Sequence, residues 1–162
     1  MFIHSMKCRK RTGAGFTLIE LMITILILGL VAALAMPTYG RFMQDWKLTG
    51  EADQFASALR TARSSAVMKN IDAVFTFDMD TNTYFYFEDD NRNGVRDHGE
   101  YRSDMFGLYN GIVIAAHTLS TRTLTFGRMG NTRESGSITL QNANNNVRTI
   151  RIFGGTGNIS VD

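Results

Sequence analysis

Residues 15–36 read GFTLIELMITILILGLVAALAM, and this stretch decides how the rest of the chain is interpreted. The 21 residues from position 16 to position 36 would span about 32 Å as an α-helix at ~1.5 Å per residue. This length matches the hydrocarbon core of a bilayer, which is about 30 Å thick. Because the run is apolar on every side apart from Glu20, it predicts a helix that crosses a membrane once.

The charges before this stretch are all basic. Lys7, Arg9, Lys10 and Arg11 precede it, and the first twelve residues contain no acid. The positive-inside rule therefore predicts a cytoplasmic N-terminus and a C-terminal part beyond the membrane. Without residues 1–15 the chain keeps 13 Lys and Arg against 15 Asp and Glu, a net charge of −2. The basic pI of the whole sequence is therefore no argument for nucleic-acid binding.

Glu20 is the unusual residue of the apolar stretch. A carboxylate in the centre of a membrane segment costs roughly 2.5–3.5 kcal/mol, so such a residue predicts a function and a partner charge. An ordinary secretory signal cut after Ala35 is the competing interpretation, but its apolar core would be shorter than this one.

The stretch GFTLIE at residues 15–20 resembles the type III signal sequence of type IV pilins and pseudopilins. The resemblance implies that a prepilin peptidase cuts between Gly15 and Phe16 and that Phe16 is then N-methylated. It also implies that Glu20 pairs with the N-terminal amine of a neighbouring subunit during assembly. Placing either charge alone in lipid costs free energy, and the pair would neutralise both. The pair can form only when the two subunits are in the correct register.

A second, amphipathic helix segment is expected after Pro37 and extends to about Asn70. Gly29 and Pro37 are expected to loosen and kink the helix. The resemblance to pilins implies that the part between them partly unwinds on assembly, and the alternative is that Gly and Pro are simply common in membrane helices. Apolar residues recur at steps of three or four, which predicts a stripe packed on a sheet. The residues of this stripe are Tyr39, Phe42, Met43, Trp46, Phe55, Leu59, Ala62, Ala66 and Val67.

From residue 71 onward the apolar period changes to two. Short segments rich in Val, Ile, Thr, Phe and Tyr, bounded by Gly, Asn and Asp, predict strands. The predicted strands are 73–78, 83–88, 111–116, 123–126, 137–141, 147–153 and 158–161. The fold class is therefore α+β: a long N-terminal hydrophobic helix packed on a C-terminal antiparallel β-sheet domain, as in pilins.

Three later stretches resemble the GspH/FimT group of minor pilins and pseudopilins: residues 51–70, 124–140 and 148–161. Some FimT-like pilins bind DNA through a Gly-Arg-x-Arg motif near the C-terminus. The equivalent place here reads GNIS at residues 157–160 and lacks arginine, although Arg148 and Arg151 lie just upstream. After Asn70 the chain has 8 Arg and 11 acids, which does not favour a nucleic-acid partner.

Residues 89–100, DDNRNGVRDHGE, fit the spacing of a twelve-residue EF-hand calcium loop. Gly94 would permit the sharp turn, and hard oxygen ligands in this number suit Ca²⁺. A predicted strand precedes the loop and no helix follows it, so a solvated hairpin loop is the alternative. The predicted ligands are Asp89, Asn91, Asn93, the Val95 carbonyl, Asp97 and Glu100.

The expected organisation is a leader over residues 1–15, a transmembrane and filament-core helix over 16–37, a helix extension over 38–70 and a β-rich periplasmic domain over 71–162. The sequence lacks HExxH, CxxC, GxSxG and P-loop motifs, so no enzyme is expected. The expected protein is an inner-membrane minor subunit of a type II secretion pseudopilus or a type IV pilus. A DNA- or surface-binding minor pilin and a plain single-span anchored domain are the alternatives.

Overall fold

The computed structural model describes residues 15–162, and within the helix the side chains of all residues except 35, 37 and 38. The predicted leader, apart from Gly15, lies outside these residues. The chain divides into two compact units, Met1–Tyr39 and Gly40–Asp162. We describe each unit by itself.

The helix α1 covers Leu18–Lys69 and belongs to both units. Gly29 lies within its first part, Leu18–Leu34, and does not interrupt it. The expected interruption at Pro37 falls in the short break before the second part, Tyr39–Lys69. No single helix among residues 15–162 is long and apolar enough to cross a membrane alone. The two parts of α1, Leu18–Leu34 and Tyr39–Lys69, taken together have the length and composition of a membrane-crossing segment.

The first unit exposes its apolar side chains. Every large apolar side chain from Phe16 to Met36 keeps between 51% and 84% of its surface accessible. Leaving such a surface in water is unfavourable, at about 25 cal/mol for each Å² that could be buried. This part of α1 therefore has no apolar partner within the described chain.

In the second unit, one face of α1 is buried from Leu48 onward. Its buried residues recur every three or four positions, as a half-buried helix requires. They are Leu48, Ala52, Phe55, Ala56, Leu59, Ala62 and Ala66.

The prediction was wrong for the two ends of the stripe. Phe42 and Trp46 are 64% and 67% exposed, and Val67 is 48% exposed. Tyr39, in the first unit, is also exposed at 66%. The helical period is the same at all these positions, but within the second unit burial of the helix begins only at Leu48, beyond Phe42 and Trp46.

Backbone hydrogen bonds cap the C-terminus of α1. Asn70 takes a left-handed conformation with φ of 57°. The Ile71 N–H donates to the Ala66 carbonyl, and the Asn70 N–H donates to the Val67 carbonyl. These two bonds form a Schellman motif, for which asparagine is one of the favoured residues.

Eight strands follow the helix and form two antiparallel sheets. The first sheet has the order β3-β2-β1-β5 and the second has the order β4-β6-β7-β8. The strands are β1 Asp72–Asp78, β2 Thr83–Asp89, β3 Phe106–Gly107, β4 Ile112–His117, β5 Thr123–Phe126, β6 Gly136–Asn142, β7 Val147–Phe153 and β8 Asn158–Val161.

The seven predicted strands are confirmed, three of them with identical bounds. The two-residue strand β3 was not predicted, because two residues cannot display an alternating pattern. The single predicted sheet is corrected to two. β5 pairs with β1, aligning Phe126 with Ala73, whereas β4 pairs with β6 across an irregularity between Ile114 and Ala116.

The core of the second unit joins the helix to both sheets. The Phe55 ring lies 4.5 Å from the Tyr84 ring and 5.3 Å from the Phe75 ring, measured between centroids. Ile138, Leu140 and other residues of the second sheet belong to the same buried cluster. The core therefore occupies the inner faces of both sheets and leaves their outer faces, edges and loops available for binding.

Candidate functional site

The predicted processing site lies just before the helix begins. Gly15 and Phe16 are exposed, and α1 starts two residues later, at Leu18. The peptide bond between them is therefore outside the hydrogen-bonded helix. This position is accessible and outside the helix, as a bond cut by a protease must be.

Glu20 belongs to a capping box at the start of α1. Its Oε2 accepts hydrogen bonds of 3.2 Å from both the backbone N–H and the hydroxyl of Thr17. The Thr17 hydroxyl in turn accepts the Glu20 N–H at 3.3 Å. The two side chains thus satisfy donors that a helix N-terminus otherwise leaves free.

Thr17 is the residue that the sequence interpretation missed. The signal was present, since Thr17 and Glu20 have the T-x-x-E spacing of a capping box. Within residues 15–162 only one oxygen of the Glu20 carboxylate is used in this way. The other oxygen is available to a second partner.

The Asp/Asn loop is organised by its own acidic side chains. The two Asp89 oxygens accept the N–H groups of Asn93 and Gly94 at 3.1 and 2.7 Å. The two Glu100 oxygens accept the N–H groups of Asp90 and Asp97 at 3.1 and 2.8 Å. Both ends of the predicted calcium loop are therefore used to fold it.

The centre of the loop brings together three of the predicted ligands. The side-chain amides of Asn91 and Asn93 each donate to Asp97 Oδ2 at 2.6 Å. The amide oxygens face the backbone instead, where they accept the N–H groups of Asn93 and Val95. A cation needs oxygens at this point, so the arrangement does not fit Ca²⁺ without rotation of both amides. The calcium site stays a prediction.

No group of three or more His, Cys, Asp or Glu side chains in the described chain could hold a metal ion. Asn91 and Asn93, which make up part of the predicted ligand set, are amides and do not belong to these residue types. The predicted ligands thus lie in one loop, where they bond to one another and to the loop backbone and form a hydrogen-bonded turn.

The two C-terminal arginines are already engaged. Arg151 Nε lies 3.0 Å from an oxygen of Asp162. Arg148 donates to the carbonyl of the adjacent Val147. Arg151 is thus paired with an acid, whereas Arg148 bonds to the backbone of its neighbour.

A model of the family described as "Type II transport protein GspH" matches residues 51–156, which are well over half of the chain. The chain belongs to the GspH family. A second family model, the prokaryotic N-terminal methylation motif, matches residues 10–36 and includes Gly15, Phe16 and Glu20.

Curated relatives of this GspH-family chain are fimbrial proteins. One from Pseudomonas aeruginosa is 41% identical over 69 residues, which are 43% of this chain and 42% of that protein. Another from Moraxella nonliquefaciens is 45% identical over 51 residues, or 32% of each chain. The chain therefore spans less than half of the length of these relatives.

Solved structures share the fold. The minor pseudopilin EpsH of the type 2 secretion system of Vibrio cholerae aligns with a TM-score of 0.57 and 12% identity, over 72% of this chain and 96% of that one. The type IV minor pilin FimU of Pseudomonas aeruginosa aligns with a TM-score of 0.59 and 16% identity, over 75% and 92%. At these identities the likeness shows the fold: a helix packed on antiparallel sheets, as in pilins and pseudopilins.

Proposed function

We propose that this GspH-family chain is a structural subunit, a minor pseudopilin or pilin, of a type II secretion pseudopilus or a type IV pilus. The observation that carries the proposal is the apolar surface of residues 16–36, which no other described part of the chain covers. A lipid bilayer would cover it before assembly, and the helices of other subunits would cover it in a filament. The role is one of assembly, and no catalysis is proposed.

The subunit would wait in the inner membrane as a single-span protein with its C-terminal domain in the periplasm. The basic residues 7–11 support this orientation. A prepilin peptidase would cut between Gly15 and Phe16 and methylate the new N-terminus. The exposed backbone before Leu18 supports access at this bond.

In this proposal Glu20 sets the register between the subunit and its neighbour in the filament. Its capping bonds to Thr17 hold the carboxylate at the start of α1, and one oxygen is left for the N-terminal amine of an adjacent subunit. Each of the two charges alone costs much free energy when it is placed in lipid, and the two charges cost far less as a pair. The partners are therefore other pilin or pseudopilin subunits.

Intact mass spectrometry tests the processing step. We would purify the full chain from membranes of cells with and without prepilin peptidase. The expected mass loss corresponds to residues 1–15, offset by one methyl group, and only when the peptidase is present. Gly15→Leu should block the cut, and Gly13→Leu is the matched control. A cut after Ala35, or no cut, would overturn the proposal.

Filament incorporation tests the assembly step separately. Glu20→Gln should be processed normally but be lost from sheared filaments or pseudopili, because the neutral amide cannot pair with an ammonium group. Glu51→Gln, which changes a carboxylate of the same helix outside the apolar run, should be incorporated. Deletion of the subunit, scored for protein secretion, twitching and DNA uptake, identifies which machine uses it.

A further inference from the structure

A polar cleft of about 450 Å³ lies between the Asp/Asn loop and the β5–β6 connection. Three arginines from two separate loops line it: Arg92 from the first, and Arg128 and Arg133 from the second. Asp72 and Asp89 contribute the acidic side chains of its lining. The residues at this cleft are outside both the processing site and the C-terminal arginine pair.

The loop that carries Arg92 is fixed by local hydrogen bonds. Arg92 takes a left-handed conformation with φ of 61°, which is uncommon for a residue other than glycine. The Asp89 carboxylate accepts the N–H groups of Asn93 and Gly94, on the C-terminal side of Arg92. Both Asp89 oxygens are therefore occupied by backbone donors.

The β5–β6 connection, which carries the other two arginines, is also fixed by hydrogen bonds. The Gly127 N–H donates to the Asn131 carbonyl at 2.9 Å, and Phe126 pairs with Thr132. Arg63 of α1 donates to the Gly130 carbonyl at 2.7 Å, which ties the tip of the connection to the helix. Both arginine-bearing loops thus have defined backbones.

The three guanidinium groups have no partners within residues 15–162. None of them makes a salt bridge or a side-chain hydrogen bond there, although two carboxylates line the same cleft. Arg122 and Arg151, by contrast, are paired with acids. A guanidinium presents five N–H donors in a planar fork that matches the oxygens of a phosphate group.

We propose that this cleft binds a single phosphate ester. Three arginines against two aspartates leave the lining with a net charge of +1, and both oxygens of Asp89 already accept backbone hydrogen bonds. One phosphate group therefore suits the cleft, since its oxygens can accept bidentate bonds from several arginines. A long polyanion does not, because it needs a continuous basic stripe. This site goes beyond the filament role and does not depend on it.

Thermal unfolding of the full chain in a maltoside detergent, which contains no phosphate, tests the site. Inorganic phosphate is titrated against chloride at constant ionic strength. The wild type should show a saturable rise in Tm on the order of 5 °C. The variant Arg92→Gln/Arg128→Gln/Arg133→Gln should lose that rise while keeping its Tm without phosphate.

The control variant is Arg41→Gln/Arg96→Gln/Arg148→Gln, which removes three arginines that do not line the cleft, two of them exposed and Arg148 half-buried. Phosphate also stabilises proteins generally by exclusion from their surface, and the rise that remains in the Arg92/Arg128/Arg133 variant measures that effect. The control variant measures what the loss of three positive charges elsewhere does. An equal rise in Tm for all three proteins would overturn the proposal. A larger rise in the wild type and the control than in the Arg92/Arg128/Arg133 variant would support it.

The source of the phosphate is distinguished by a second set of ligands. Glycerol 3-phosphate and single-stranded oligonucleotides of 2, 6 and 12 nucleotides provide the same chemistry on different carriers. If the cleft binds one phosphate group, we expect all these ligands to bind with similar affinity. The Arg92/Arg128/Arg133 variant should lose binding of every one of them. Affinity that rises with oligonucleotide length and falls steeply with salt would indicate a nucleic-acid track and contradict the single-group site.

Discussion

The carboxylate of Glu88 accepts a hydrogen bond of 2.6 Å from the hydroxyl of Ser65, in the buried contact between the last turns of α1 and β2. Glu88 is 6% exposed and Ser65 is 8% exposed. The other Glu88 oxygen lies 2.7 Å from the ammonium group of Lys69, whose side chain is half exposed. One carboxylate thus joins the end of the helix to the sheet.

Ser65→Ala should destabilise the second unit more than Lys69→Met does. Losing a hydrogen bond to a buried charged group costs about 1.5–3 kcal/mol. The ion pair of a half-exposed lysine contributes no more than about 1 kcal/mol. Chemical denaturation followed by far-UV circular dichroism measures both losses. Equal losses would show that the ion pair contributes as much as the buried hydroxyl and would contradict this prediction.

Phe55→Ala and Phe42→Ala are the same substitution at two positions of one helical stripe. Phe55 is fully buried, so its truncation should cost about 3–5 kcal/mol. Phe42 is 64% exposed, so its truncation should change the free energy of unfolding by less than about 0.5 kcal/mol. The comparison, made by denaturation of the full chain, tests where the core begins. A large loss at Phe42 would place it in the core after all.

These two phenylalanines show what the sequence could and could not predict. The periodicity that places Phe55 toward the sheet applies equally to Phe42, because a pattern records only the helix. Whether a sheet residue lies opposite depends on how far the strands extend, and that depends on contacts between distant residues. The strands β5, β7 and β8 were predicted with their observed bounds, since alternation and turn residues are local signals.

Sheet partners and the arginine cleft could not be predicted for the same reason. The pairing of β5 with β1 joins residues about 50 positions apart, and no local pattern specifies it. Arg92 and Arg133 lie in loops whose approach depends on that pairing. The Glu20 motif, by contrast, could be recognised because its residues are consecutive in the sequence, from Gly15 to Glu20, although the capping role of Thr17 was missed.

Gly50→Ala should stabilise the protein by about 1 kcal/mol. Gly50 lies inside α1, and a Cβ added there would meet nothing within 4 Å, so only the helix propensity changes. Gly130→Ala is the contrasting variant. Its φ is 74°, and a Cβ would lie 3.0 Å from both Arg63 Nε and Val67 Cγ2. That substitution should therefore destabilise, and a gain in Tm there would contradict the close packing of the β5–β6 connection.

Calcium should bind the Asp/Asn loop only in the range of about 0.1–1 mM. The ligand types match those of calcium modules, but Asn91 and Asn93 must first release their hydrogen bonds to Asp97. Isothermal titration of the full chain, freed of metal with a chelator, measures the affinity. Asp97→Asn should weaken it at least tenfold, whereas Asp104→Asn, outside the loop, should not. Absence of heat at 10 mM calcium would exclude the site.

The stability of the second unit should depend on pH through Glu51. Burial raises the pKa of Glu51 above 4.5, opposed by a hydrogen bond from the Tyr109 backbone, and one oxygen of this carboxylate is buried without a partner. The nearby Tyr84 hydroxyl is also buried without a partner, and burial together with the Glu51 charge raises the pKa of Tyr84 to about 12. Burial therefore makes the Glu51 carboxyl harder to ionise in the fold than in the unfolded chain.

Because the folded-state pKa of Glu51 is the higher one, the folded chain holds the proton more tightly than the unfolded chain does. Its contribution to stability is therefore present below pH 4.5 and is lost as the pH rises through the raised folded pKa. Glu51→Gln should become more stable relative to the wild type across this window and keep that advantage at pH 7. Asp53→Asn changes an exposed carboxylate on the same helix and should show no such trend. Thermal unfolding between pH 4 and pH 8 measures both differences, and parallel curves for wild type and Glu51→Gln would show that the fold does not raise the pKa of Glu51.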